Sequence, residues 1–165
     1  GVLFFGKLLT YAAMIAGREV TCFPSYGAEM RGGTANCTVI ISESMIGSPV
    51  IRNPDVLVIM NEASCKRFLE KLPPGGVLIY DSSLIYSKIP RDDIRVVKTP
   101  ASDISSSLNG VQSANMAMIG AFIAATRMLD IDSVLQAIEE ITPSHRRAQL
   151  TVNKAIILKG YGTLR

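Results

Sequence analysis

Apolar positions follow two rhythms along this chain. Val2–Ala16 is apolar almost all round, interrupted by Lys7, and reads as a buried helix stopped by Gly17. Glu19–Pro24 reads as a strand, and Thr34–Ser42 as a longer one with β-branched residues at Thr34, Thr38, Val39, Ile40 and Ile41. Asp55–Met60, Val77–Tyr80 and Ile94–Val97 are short continuous apolar runs, the pattern of strands covered on both faces. Ala63–Lys71 reads as a helix that ends at Pro73-Pro74-Gly75-Gly76. The remainder is predicted helical. Gln112–Leu129 has apolar residues on every face. A second helix begins near Asp132, with Ile131, Val134, Leu135, Ile138 and Ile141 at helical spacing. A third runs from Ser144 to Lys159, ended by Gly160.

Alternating strands and helices with continuous apolar runs predict an α/β fold, a three-layer α/β/α sandwich with a Rossmann-like, mostly parallel sheet. The two strands that flank Ser25–Gly33 form an irregular or antiparallel edge in this reading. A doubly wound domain starts with a strand, yet here Gly1 leads straight into a helix. The first strand and its turn are therefore expected to be missing from the chain as given. Residues 1–165 read as a single domain, with no repeat or linker.

Composition narrows the function classes. Hydrophobic residues make up 48% and charged residues 19%, below the roughly 25% charged of ordinary soluble domains. Such a chain is expected to bury surface against other subunits. The net charge of +3 is modest and the basic residues are scattered, so no nucleic-acid stripe is present. The longest uncharged apolar run, Met116–Ala125, falls short of the roughly 20 residues that span a bilayer. No membrane or nucleic-acid partner is expected. Cys22, Cys37 and Cys65 lack CxxC spacing, which points to reduced thiols in the cytoplasm. With His145 alone beside them, no intrinsic iron–sulfur or zinc site is expected.

The segment Ser25-Tyr26-Gly27-Ala28-Glu29-Met30-Arg31-Gly32-Gly33 joins two strands with three glycines, an aromatic, a carboxylate and a guanidinium. Glycine allows close backbone approach, and arginine offers a fork suited to carboxylate or phosphate. The segment is built to meet a ligand or a partner chain. For Arg31 the alternative is an exposed pair with Glu29; for Tyr26 it is plugging the core edge; for Gly32 and Gly33 it is the chain reversal alone. Asn61-Glu62, Asp81-Ser82-Ser83 and Thr99-Pro100-Ala101 follow predicted strands. Carboxyl ends of strands form the ligand crevice of open α/β sheets. Gly1 would begin the first helix on that edge, where free N–H groups suit an anion. For Asn61 and Ser82 the alternative is the capping of turns. His145 reads as a solvated helix end. Asn115 and Asn153 read as ties between helices and loops, and Met14, Met116, Met118 and Met128 as core filler. No P-loop, complete GxGxxG, HExxH or GxSxG is present, so no catalytic residue is assigned.

The pattern Ser25-Tyr26-Gly27-Ala28-Glu29-Met30-Arg31-Gly32-Gly33-Thr34-Ala35-Asn36-Cys37, with Val39-Ile40-Ile41-Ser42, Gly47-Ser48-Pro49, Pro54-Asp55-Val56-Leu57-Val58 and Met60-Asn61, resembles the gamma subunit of 2-oxoacid:ferredoxin oxidoreductases. It continues through Gly75-Gly76-Val77-Leu78-Ile79, Asp81-Ser82-Ser83, Asn115 and Gly120-Ala121. Within the family the likeness is greatest to the 2-oxoglutarate or branched-chain 2-ketoacid type. Family members open with a strand and a GxGGQG turn, of which Gly1 alone stands here.

The resemblance implies a component of a complex that converts a 2-oxoacid to an acyl-CoA and passes electrons to ferredoxin. Thiamine diphosphate, Mg and iron–sulfur clusters would lie on partner subunits, with none bound by this chain alone and coenzyme A as a substrate. The partners implied are thiamine-binding alpha and beta subunits and a ferredoxin-like delta subunit, with a homodimer open to the isolated chain. Gly1, Ser25, Tyr26, Gly27, Glu29, Arg31, Gly32, Gly33 and Asn61 match family motifs as binding or interface residues, and Asp81 and Ser82 join them from the strand ends. Two rival classes stand beside this reading: a stand-alone dinucleotide-binding oxidoreductase and a scaffold subunit without a ligand.

Overall fold

Five strands form two separate sheets in the computed structural model, which describes residues 1–25, 34–110 and 112–164. Helix α1 (Val2–Ile15) comes first and ends at Gly17, whose φ of 69° is open to glycine at little cost. Strands β1 (Glu19–Ser25) and β2 (Asn36–Ser42) pair antiparallel, from Glu19 opposite Ser42 to Ser25 opposite Asn36. Strand β3 (Val56–Ile59), helix α2 (Glu62–Phe68) with a 3-10 turn at Leu69–Lys71, strand β4 (Val77–Asp81) and strand β5 (Arg95–Thr99) follow. These three strands are parallel, in the order β3-β4-β5. The antiparallel pair is thus a two-stranded sheet of its own, not hydrogen-bonded to the parallel one among the described residues.

The parallel sheet is covered on both faces, as its continuous apolar runs predict. Val56, Val58, Ile79 and Val97 face the larger core with α1 and the later helices. Leu57, Ile59, Leu78, Tyr80 and Val96 face a smaller cluster with Cys65, Phe68 and Leu72. The β3–β4 crossover is α2. The β4–β5 crossover has no helix; it lays Ile85 and Ile89 into the smaller cluster instead. Arg91 pins that crossover: its guanidinium binds both oxygens of Asp93 at 2.6 Å and the Leu72 carbonyl at 2.9 Å.

Helix α3 (Ala101–Ser107) is not among the helices the sequence reading delimits, because its serines are weak helix formers. Helix α4 (Ala114–Thr126) is buried on nearly all sides and ends at Arg127, one turn inside the predicted Gln112–Leu129. Helix α5 (Ile131–Ile141) is capped by Asp130, whose side chain accepts from the Ser133 amide at 2.7 Å. The last predicted helix divides into a 3-10 turn, Ser144–Gln149, and helix α6 (Leu150–Gly162). Gly160 does not stop it. A Cβ at Gly160 would overlap the Ala117 carbonyl, and one at Gly120 would overlap the Ile157 carbonyl and lie 2.6 Å from the Tyr161 amide. The two glycines let α4 and α6 touch backbone to backbone. Met116 and Met118 fill the core as expected, but Met14 and Met128 are 59% and 39% exposed. They lie near helix ends, beyond the packed stripe. No helix among the described residues is long and apolar enough to cross a membrane.

Candidate functional site

The parallel strands end side by side, with Ile59 next to Tyr80 and Asp81 next to Thr99. The chain leaves this crest through Asn61, Asp81-Ser82-Ser83 and Thr99-Pro100. Asn61 is the N-cap of α2, its Oδ1 accepting from the Ser64 amide at 2.8 Å. Glu62 opens that helix, where a negative charge is favoured, and accepts from the Ser87 hydroxyl.

Asp81 is fully buried and organises the crest. Its Oδ1 accepts from the amides of Ser83 at 3.0 Å, Ala101 at 3.0 Å and Ser102 at 3.3 Å; its Oδ2 accepts from the Ser102 hydroxyl at 2.6 Å. A carboxylate on one strand end thus caps α3, whose own N-cap position, Pro100, makes no side-chain cap. This is the tertiary support that the serines of α3 require. Charge-assisted bonds of this number also explain how a buried carboxylate is tolerated. Ser82 is half-buried and its amide donates to the Thr99 carbonyl at 2.9 Å. The Ser83 hydroxyl accepts from the Asp103 amide at 3.2 Å. The Thr99 hydroxyl is buried with no hydrogen-bond partner among the described residues.

Gly1 opens α1. Its carbonyl accepts from the Phe5 amide at 3.0 Å and from Asn115 Nδ2 at 3.2 Å, and a Cβ here would lie 3.1 Å from the Asn115 side chain. Asn115, buried in the first turn of α4, ties two helix starts together; Asn153 likewise accepts from the Ser113 hydroxyl at 3.2 Å. The last turn of α4 meets the first residue of β5, where Arg95 donates to the Ala125 carbonyl at 2.9 Å. The first turn, with Asn115 and Gly1, is therefore directed toward the carboxyl edge of the sheet.

The structure groups Asp81 and Ser82, puts Asn61 on the neighbouring strand end, and leaves Gly1 joined to Asn115. Ser25 ends β1 opposite Asn36, in the separate antiparallel sheet. Tyr26, Gly27, Glu29, Arg31, Gly32 and Gly33 lie outside the described residues. Sequence reasoning missed Ser102 and Asp103 as partners of the crest, since nothing within a few residues of them signals a carboxylate some twenty positions away.

Two shallow depressions lie apart from the crest residues. Shallow cavities of about 340 and 290 Å³ are lined by Ala16, Arg18, Arg127, Met128 and Asp130, and by Arg18, Ile41, Ser42 and Glu43. No crest residue lines them. Arg18 pairs with Glu43 there and holds its carboxyl below the ordinary value. Asp130 is held low as well, by the Ser133 amide and hydroxyl. Burial, and then the Glu62 carboxylate, push the Cys65 thiol up.

The cysteines do not converge as a set. Cys22 and Cys37 lie on the antiparallel pair, while Cys65 is buried under the parallel sheet. Among the described residues no three His, Cys, Asp or Glu side chains form a group able to hold a metal. The donor set does not fit an iron–sulfur cluster, which needs four suitably placed ligands. His145 is exposed on its 3-10 turn.

Comparison with known proteins brings in relatives. The family model for pyruvate ferredoxin/flavodoxin oxidoreductase matches residues 1–163. Ketoisovalerate oxidoreductase subunit VorA of Methanothermobacter marburgensis is 36% identical over 162 residues, covering 97% of this chain and 33% of the relative. 2-Oxoglutarate synthase subunit KorC of Methanothermobacter thermautotrophicus is 32% identical over 150 residues, covering 87% of this chain and 79% of the relative. The crystal structure of a keto/oxoacid ferredoxin oxidoreductase gamma subunit from Geobacter sulfurreducens superposes with a TM-score of 0.84 at 24% identity, covering 99% of this chain and 91% of that one. At that identity the likeness speaks for the fold. The chain spans about a third of the length of the first curated relatives it matches.

Proposed function

Because the chain belongs to the pyruvate ferredoxin/flavodoxin oxidoreductase family, we propose that it acts as the gamma-type component of a thiamine-dependent complex. That complex oxidatively decarboxylates a 2-oxoacid, joins the acyl group to coenzyme A and passes two electrons to ferredoxin. The observation that carries this reading is one of length. The domain makes up 33% of one curated relative and most of another. It occurs both as part of a longer chain and nearly alone, as expected of a module whose reactive centre lies in its neighbours.

The crest supports the same reading. Asn61 and Asp81 are engaged in capping α2 and α3, so they hold a wall in shape and are not free to move protons. In this proposal the wall faces thiamine-binding alpha and beta subunits, and a ferredoxin-like delta subunit completes the assembly in the cytoplasm. Thiamine diphosphate, Mg and iron–sulfur clusters belong to those partners, consistent with the divided cysteines here. Tyr26 and Arg31, with Ser25, Gly27, Glu29, Gly32 and Gly33, serve a subunit interface or the channel to the reacting centre. The start of α1 at Gly1 and the hydroxyl of Ser82 favour an anionic group, for which coenzyme A phosphates are the proposed source, with Asn61 holding the neighbouring strand end in shape.

Co-expression with the partner subunits tests this. Coenzyme A-dependent oxidation of 2-oxoacids, coupled to ferredoxin reduction, is expected from the assembled complex and not from the isolated chain. Arg31→Ala is expected to weaken assembly or raise the KM for coenzyme A. Full activity from the isolated chain would overturn the proposal.

A further inference from the structure

Cys22 and Cys37 approach each other across the antiparallel pair, Sγ to Sγ at 3.4 Å. The strand register explains why. Cys22 lies opposite Val39 and Cys37 opposite Pro24, so the two cysteines are diagonal neighbours on one face of the pair, within mutual reach. Behind Cys37 stands α1: a Cβ on Gly6 would lie 2.6 Å from its Sγ. Helix and strand together hold that sulfur against Cys22. Cys22 itself is exposed, and Cys65 is buried in the other hydrophobic cluster.

We propose that Cys22 and Cys37 form a redox-modifiable dithiol that accepts oxidation from a low-molecular-weight disulfide. The chemistry is two exchanges. The Cys22 thiolate attacks one sulfur of the small disulfide, its S–S bond breaks, and one thiolate leaves. Cys37, losing its proton to solvent, then attacks the Cys22 sulfur and expels the second thiolate. Two protein thiols become one disulfide, the small disulfide takes up two electrons, and the two protons released by the protein balance the two departing thiolates. The sulfurs move from 3.4 Å to the roughly 2.0 Å of a bond.

The order follows from accessibility. Cys37 is half-buried and its thiol is pushed up to about 12, first by burial and then by the hydrogen bond and charge of Cys22. It is a poor first nucleophile. When Cys22 is capped, the last two of those causes disappear and burial alone remains. The closed ring encloses the segment from Phe23 to Asn36, which carries Tyr26, Arg31 and the paired glycines. Oxidation would therefore tie the base of the proposed interface segment covalently.

Titrating the full chain with oxidised glutathione, then digesting with trypsin under non-reducing conditions, tests this. Cleavage after Arg18, Arg31, Arg52 and Lys66 puts the three cysteines on three peptides. The expected product is a monomer that has lost two hydrogens, with peptide 19–31 bonded to peptide 32–52 and Cys65 still reduced. In Cys37→Ser a stable glutathione adduct should build up on Cys22, at least about tenfold faster than on Cys37 in Cys22→Ser. A lasting adduct on the unaltered chain, a bridge that includes Cys65, a bridge between two chains, or an inert Cys22 would each overturn the proposal.

Discussion

The two sheets of this fold are buried by different means. In the parallel sheet, alternate residues enter two hydrophobic clusters, and Leu78 and Ile79 have no exposed surface at all. In the antiparallel pair no residue is fully buried, and Phe23 is 55% exposed. That pair leans on α1, through Gly6 against Cys37 and Val39. A two-stranded ribbon alone is marginal in water. Its stability here depends on one helix face, and Phe23 on its other face is open to solvent. The difference teaches that burial on both sides secures the parallel sheet, while the ribbon is packed from one side among the described residues.

The largest test of that contrast is Leu78→Ala. It should cost about 2–5 kcal/mol in denaturant unfolding, the range for a fully buried leucine; a loss below about 1 kcal/mol would mean that the sheet is not sealed on the α2 side. Asp81→Ala comes next, at about 1–3 kcal/mol, because the Ala101 and Ser102 amides lose their acceptor. Hydrogen exchange should show the amides of α3 losing protection first. If α3 exchanges no faster than in the parent, Asp81 is not what holds it.

Gly6→Ala probes the support that α1 gives the ribbon. Helix propensity alone would favour alanine by up to about 1 kcal/mol, but the new methyl must displace Cys37 Sγ, and overpacking costs about 1–3 kcal/mol. A net loss near 1 kcal/mol is expected, and a stabilised variant would show that the ribbon gives way easily.

Asp130→Ala removes the cap of α5 and should cost about 1 kcal/mol at neutral pH. The folded-state carboxyl is held below its ordinary value by Ser133. Its contribution is therefore present above the unfolded value of about 3.9 and lost as pH falls through the lower folded value. The gap between parent and variant should narrow below about pH 4, measured by unfolding across pH; a gap that widens on acidification contradicts this. Phe23→Ala, on the open face of the ribbon, should change the stability of the isolated chain by no more than about 0.5 kcal/mol. A larger loss would mean that the outer face is packed after all.

Much of this was legible in the residues. The runs Asp55–Met60 and Val77–Tyr80 marked strands because burial on both faces requires unbroken apolar sequence. Gly17 marked the end of α1 because a left-handed residue was needed there. For Asn61 the sequence left a cap and a binding role open, and the structure shows the cap. The family was legible too, from a motif at 25–33 of which Ser25 alone is among the described residues. What could not be read was the crest's internal wiring. Asp81 finds its partners at Ala101 and Ser102, across a loop and a strand.

Gly160 states the division most plainly. Read along the chain, a glycine after an apolar run ends a helix. In the fold it sits inside α6, where the Ala117 carbonyl leaves no room for a Cβ. By itself the sequence determined element type and order, because backbone preference, caps and apolar periodicity act between near neighbours. Tertiary structure alone decided that α4 and α6 touch, that Asp81 caps α3 and that two cysteine sulfurs meet across β1 and β2. Those depend on strand register and helix approach, which set distances between residues far apart in the chain and leave no mark in local sequence.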